Sequence, residues 1–217
     1  VIRGERKVSD QAAIQRMLRI MVELQEAHNR QIAEDWRERG FEFYRAVWVE
    51  CAELLEHFGW KWWKGHEPDL EQVKLEIIDI WHFGLSEIMR EGMDPELALR
   101  IEHRLAEPRA MDFRASVEAL AEKTLAARAF PLERFLDLMQ SLPMRFDELF
   151  SIYVGKNVLN RFRQDHGYLD GEYVKSWAGR EDNEHLVEVV ASLDVESDDF
   201  AERLYGALEE RYMTSAL

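Results

Sequence analysis

Four carboxylates stand in this chain where a helical core has little use for charge. Glu50 and Glu53 lie in Phe43-Tyr44-Arg45-Ala46-Val47-Trp48-Val49-Glu50-Cys51-Ala52-Glu53-Leu54-Leu55, and Glu76 and Asp79 lie in Leu75-Glu76-Ile77-Ile78-Asp79-Ile80-Trp81-His82-Phe83. Each pair is spaced i, i+3, which places both acids on one helical face. An anion buried without a partner is costly unless its pKa shifts until it is neutral, and two such pairs facing each other repel. Something positive is expected between them. No Lys or Arg lies at matching spacing inside either run, so a divalent cation is the simplest neutraliser. Oxygen donors without Cys favour a hard ion, Mg2+ first and Mn2+ next. The rival is that these acids face water from the polar side of amphipathic helices, the ordinary fate of a single Glu-x-x-Glu. Two pairs, both in apolar runs, weigh against it.

A second constellation lies in Gly155-Lys156-Asn157-Val158-Leu159-Asn160-Arg161-Phe162-Arg163, where Lys156, Asn160 and Arg163 fall at i, i+4, i+7 on one stripe. Two cations flanking an amide suit phosphate oxygens, Arg as a fork and Lys as a point charge. A solvated face has the same pattern. The stretch that follows brings Tyr168, Tyr173, Lys175, Arg180 and Asn183 in a loop beside a helix start, where N–H groups favour anions. Such a loop suits a polyphosphate.

These groups need helices to hold them. Residues 1–9 read as a polar leader, with Ser9 or Asp10 capping a first helix through Ile14, Met17, Leu18, Met21, Val22 and Leu24. That helix carries Gln25 and Asn29 one turn apart, amides that face solvent or read a base edge if the face closes over a pocket. Gly40 separates it from the first acidic helix. Trp60, Trp62 and Trp63 crowd the connection to the second, either stacking on a planar ligand or sealing the hairpin mouth. Asp69 with Gln72 makes a capping-box signature, so the second acidic helix is expected from near Leu70 to Gly92. Asp94-Pro95-Glu96 is expected to start a third helix, and Pro108, Pro131 and Pro143 punctuate the middle. Helices are expected over 113–129, 132–142 and 145–166, then one capped by Asp182 or Asn183 through Leu193, and a last opened by Ser197 or Asp198. Alternating strand patterns are scarce, so the 217 residues are expected to form one all-α domain around a four-helix metal-binding core.

Composition narrows the function. The 47% hydrophobic and 11% aromatic content exclude disorder, and a net charge of -15 argues against a general nucleic-acid surface. Any phosphate ligand needs a local cationic site. The single cysteine, Cys51, excludes a disulfide framework and suggests packing in a reducing, cytoplasmic-type compartment. No apolar run is long enough for a membrane span and no signal-peptide pattern appears, so neither membrane insertion nor secretion is expected.

Taken together, Trp48 to Leu54, Trp60 to Lys64, Glu76 to Phe83, and Gly155 to Arg163 with Asp182-Asn183 resemble the dimeric, all-α, metal-dependent deoxyuridine triphosphatases, relatives of the wider all-α nucleoside triphosphate pyrophosphohydrolases. The paired acids are shared across that superfamily, while the Trp-rich loop and the Gly-Lys-Asn segment are more specific to the dUTPase branch. The resemblance implies that Glu50, Glu53, Glu76 and Asp79 bind Mg2+ ions bridging the phosphate chain, with Glu50 activating the attacking water. It implies that Gln25, Asn29, Trp62 and His82 enclose uracil and deoxyribose, and that Lys156, Asn160, Arg163, Tyr168, Lys175 and Asn183 hold phosphates. It further implies a homodimer, attack at the β-phosphorus, acceptance of dUDP as well as dUTP, and a lobe in the middle or C-terminal part that closes on nucleotide. The segment from Glu91 to Arg145 carries no motif of that family.

Two other readings compete. One is a relative acting on dCTP or another nucleotide, which Gln25, Asn29 and His82 would decide. The other is a non-catalytic helical bundle that binds a metal or a partner helix through its aromatic patch. A di-iron protein is disfavoured because such sites want Glu-x-x-His pairs, which neither acidic run supplies.

Overall fold

The computed structural model describes residues 10–107, 111–142, 144–195 and 197–215. The expected leader over 1–9, Ser9, Pro108 and Pro143 lie outside them. The chain divides into two compact units, one ending at Leu149 and one beginning at Phe150. The first contains α1 (Gln11–Ile32), α2 (Phe43–Phe58), α3 (Leu70–Glu91), α4 (Leu97–Ala106), α5 (Phe113–Ala127) and α6 (Leu132–Ser141), with α7 (Phe146–Asp165) starting in it. The second contains the rest of α7, a two-strand ribbon of β1 (Ser176–Trp177) and β2 (Arg180–Glu181), α8 (Asp182–Ser192) and α9 (Phe200–Ser215). The all-α reading holds. Among the described residues no helix is long and apolar enough to cross a membrane.

The helix ends follow from local chemistry. Asp10 caps α1 by accepting from the Ala13 N–H at 2.8 Å. Asp69 caps α3 by accepting from the Gln72 N–H at 3.2 Å, and Gly92 ends that helix at φ 104°, a conformation that glycine adopts without strain. Asp94 acts earlier than expected. Its carboxylate accepts from the Glu96 N–H at 2.9 Å and closes a turn, so α4 starts only at Leu97. At α8 the cap is Glu181 rather than Asp182 or Asn183, because Glu181 and Glu184 form a reciprocal capping box.

In the first unit α3 is the central element, buried along Val73, Ile77, Ile78, Ile80, Trp81, Leu85 and Met89. Trp81 is fully buried, stacks on Phe135 at 5.2 Å between ring centroids, and meets Phe130 and Phe146 edge-on. Its indole N–H reaches the Met21 sulfur at 3.3 Å. Removing so large a buried ring costs about 3–5 kcal/mol, which makes Trp81 an anchor of the helix that carries two of the acids. Gly84 sits one turn on because a Cβ there would meet the Phe130 ring at 2.5 Å. Cys51 is buried in the helix pair, and burial, with the charge of Glu50, pushes its thiol up to about 12. That fits packing.

The second unit has an aromatic core around Phe162, with His166, Tyr173, Trp177, Tyr205 and Tyr212 against it. Its ribbon turns through Ala178 at φ 48° and Gly179 at φ 78°, the backbone shape that joins two antiparallel strands through two residues.

Candidate functional site

Glu50 on α2 and Glu76 and Asp79 on α3 come together, each offering an oxygen within 4.8 Å of the others. The hairpin that joins the two helices makes this possible. The Asp69 N–H donates to the His57 carbonyl at 3.0 Å, and Arg114 donates to the Gly59 carbonyl from Nε at 2.8 Å. Those bonds hold the hairpin mouth, while Trp60, Trp62 and Trp63 stay exposed, so the tryptophans do not seal it.

Burial, the charges of Asp79 and Glu53, and a hydrogen bond with Glu76 push Glu50 up to about 8. Two carboxyls can share a hydrogen bond only if a proton lies between them. The same place would suit a cation. All donors of the group are carboxylate oxygens, the ligand chemistry of a hard divalent ion. Glu53 is exposed and stands outside the close group, although its charge reaches Glu50. Three of the four expected ligands are therefore assembled.

One residue here was overlooked. Helix α2 runs on past the first acidic run to His57, whose Nε2 lies 3.4 Å from Oε1 of Glu76. His57 is seven residues after Glu50, two helical turns along the same face, and that spacing is its signal in the sequence.

Gln25 and Asn29 do not face water. They extend the buried stripe of Ile14, Met17, Leu18 and Met21 and are 2% and 5% exposed. Gln25 Nε2 donates to Asn29 Oδ1 at 2.9 Å, Asn29 Nδ2 donates to Ser86 Oγ at 3.0 Å, and His82 Nδ1 lies 2.9 Å from Gln25 Oε1. Ser86 was not expected in the site. It lies seven residues after Asp79 on the same face of α3, and only that spacing marks it.

Beside this network is a recess of about 260 Å³ lined by Asn29, Trp36, Phe41, Phe43, Ala46 and Phe83, among others. Ala46 precedes Glu50 by one turn of α2 and Phe83 follows Asp79 by one turn of α3, so the apolar recess and the carboxylates are successive levels of the same helix pair. Trp62 is 90% exposed, packs edge-on against Trp63, and is not part of the recess lining. The structure does not bring it to Gln25 and Asn29.

In the second unit Arg163 is committed to Asp182. Nε and Nη2 reach the two carboxylate oxygens at 2.8 and 2.9 Å, and Asp182 is fully buried. Tyr173 donates to the same carboxylate at 2.8 Å. Burial opposes the charge of Asp182, but the bonds from Arg163 and Tyr173 outweigh it and hold the carboxyl below its usual range. The start of α8, expected to welcome an anion, already has the chain's own carboxylates from the Glu181–Glu184 box. In both places nearby acids of the chain hold these donors in this structure. Lys156 and Asn160 are partly exposed, and Tyr168, Lys175 and Asn183 are exposed.

A family model described as dUTPase matches residues 17–168. No curated protein matches the chain.

Proposed function

The chain belongs to the all-α dUTPase family, and from that premise we propose that it hydrolyses dUTP, and dUDP as well, to dUMP with Mg2+ held by Glu50, Glu76 and Asp79. The observation that carries the proposal is the meeting of these three carboxylates from two helices one turn from an apolar recess. A divalent ion bound there supplies charge neutralisation for phosphate oxygens and acidifies water.

The chain's own residues supply the rest. Glu76 and Asp79, fixed on the buried helix α3, would hold the ion. Glu50, which meets Glu76 and Asp79 from the facing helix, takes the proton of the attacking water once a bound cation has displaced its own. Glu53, one turn along α2 and exposed, would complete the ligand set that the resemblance implies. Gln25, Asn29 and His82 receive the uracil edge; the stacking role that the resemblance implies for Trp62 has no support in its position, since it is 90% exposed and outside the recess. In the second unit the proposal rests on the resemblance and on side-chain type. Lys156, Asn160, Tyr168, Lys175 and Asn183 offer donors for phosphate oxygens, while Arg163 braces the Asp182 loop. A homodimer and a reducing, cytoplasmic-type compartment complete the reading.

The experiment is product analysis on a panel of deoxynucleoside triphosphates with Mg2+ and with chelator. Conversion of dUTP to dUMP and pyrophosphate, dependent on Mg2+ and faster than for dCTP or dTTP, is the expected result. Preference for dCTP would assign the chain to the other branch of nucleotide hydrolases.

A further inference from the structure

The direction of the side-chain network around Gln25 can be read from one fixed point. Ser86 Oγ lies 2.9 Å from the backbone carbonyl of His82, a group that can only accept. The hydroxyl has one proton. Spent there, it leaves Ser86 as an acceptor, and Asn29 must turn its Nδ2 toward it, at 3.0 Å. The approach of Asn29 Oδ1 to the same oxygen, at 3.4 Å, is longer and cannot use the same proton. Asn29 Oδ1 is thereby set to receive Gln25 Nε2 at 2.9 Å. That turns Gln25 Oε1 to His82, whose Nδ1, 2.9 Å away, must carry a proton. In the neutral imidazole Nε2 is then the acceptor nitrogen.

Heavy-atom positions alone leave amide orientations and imidazole tautomers open, and it is the network that sets them. Ser86 is 1% exposed and the two amides are nearly as buried, so bulk water does not relieve a wrongly turned amide. Reversing either amide would set like groups against each other in a buried place, where an unmade bond is costly. All four members must run in one sense.

We propose that Ser86 is a positioning residue for base selection: its hydroxyl fixes both amides and the His82 tautomer, so that the site meets a pyrimidine edge with one donor and acceptor pattern and not its reverse. The inference rests on the base-recognition reading above. Uracil and cytosine differ by such a reversal, since O4 and N3–H of uracil, an acceptor and a donor, become N4–H2 and N3 of cytosine, a donor and an acceptor. A relay locked in direction is what a site needs to tell them apart.

The test pairs Ser86→Ala with Ser86→Thr. The 15N shifts of the His82 ring, assigned with His82→Gln, report which nitrogen carries the proton in the resting protein, and kcat/KM is measured for dUTP and dCTP. Wild type should show Nδ1–H. Ser86→Ala should show a shifted or mixed tautomer and a dUTP-to-dCTP ratio reduced by about tenfold. Ser86→Thr keeps a hydroxyl able to bond the carbonyl four residues back and should restore both. An Nε2–H ring in wild type, or a tautomer unmoved by Ser86→Ala, overturns the relay. A tautomer that moves while the ratio stays fixed overturns the role in base selection. Because the tautomer is read without turnover, failure of the relay and failure of the dUTP reading give different results.

Discussion

Glu50 on α2 and Glu76 on α3 bring carboxylate oxygens within 4.8 Å of each other, so close that a shared proton relieves the repulsion of two anions. A bound divalent ion would replace that proton, and much of the behaviour of the site follows from the exchange.

Burial and the neighbouring acids raise Glu50 to about 8 from 4.5. A group raised on folding adds stability that is fully present below its unfolded pKa and is lost as pH rises through the folded value. The metal-free protein should therefore lose stability between about pH 4.5 and 8, relative to Glu50→Gln, which has nothing to ionise. Mg2+ should flatten the difference. Melting curves of both proteins across that range, with and without Mg2+, check it, and parallel curves would contradict it.

Glu50→Gln should lower kcat by about 10²–10⁴-fold, the usual contribution of a positioned base, with helix content unchanged. Circular dichroism and steady-state kinetics on one preparation separate the two effects. Glu53→Gln should also abolish turnover if the exposed Glu53 completes the ligand set; near wild-type activity would reduce the site to the three carboxylates already assembled.

Legibility of the site in the sequence varied with what each signal depends on. Glu76, Asp79 and the start of α3 were readable because an acid inside a buried apolar run and an Asp-x-x-Gln cap are both local patterns. The roles of Arg163 and of the α8 start were not, because they depend on which acid reaches the donor first. Asp182 lies nineteen residues from Arg163, and no periodicity connects them. Ser86 was silent for a related reason: a serine on a helix has many ordinary uses, and its meaning here comes from Asn29, fifty-seven residues away.

Asp182→Asn should destabilise the second unit by about 3–5 kcal/mol, since it leaves a largely buried guanidinium without its anion. The Asp182 carboxyl is held below its usual range, so its stabilisation is present above its unfolded pKa and disappears as pH falls through the lower folded value. Urea denaturation of wild type and variant should therefore converge in acid. A constant difference down to low pH would contradict the pairing.

Gln25→Ala should reduce kcat/KM for dUTP sharply and narrow its lead over dCTP, because an unmade polar contact costs about 1–3 kcal/mol. Lys156→Ala should weaken all nucleotides alike, as expected of a phosphate contact. Equal losses on dUTP, dCTP and dTTP for Gln25→Ala would move base recognition to other residues.

Trp60, Trp62 and Trp63 are exposed in the single chain, a surplus of aromatic surface that fits the proposed homodimer. Light scattering at micromolar concentration should give twice the chain mass. A monomer mass would remove the dimer.

The central claim is that carboxylates from α2 and α3 jointly hold the ion on which dUTP hydrolysis depends. It is tested most directly by the rate of dUMP formation from dUTP by wild type and Glu76→Gln at saturating Mg2+, with a chelator control. The account predicts rapid turnover by wild type, none with chelator, and a loss of at least about a hundredfold in the variant. Turnover by Glu76→Gln near the wild-type rate, or wild-type turnover undiminished by chelator, would contradict it.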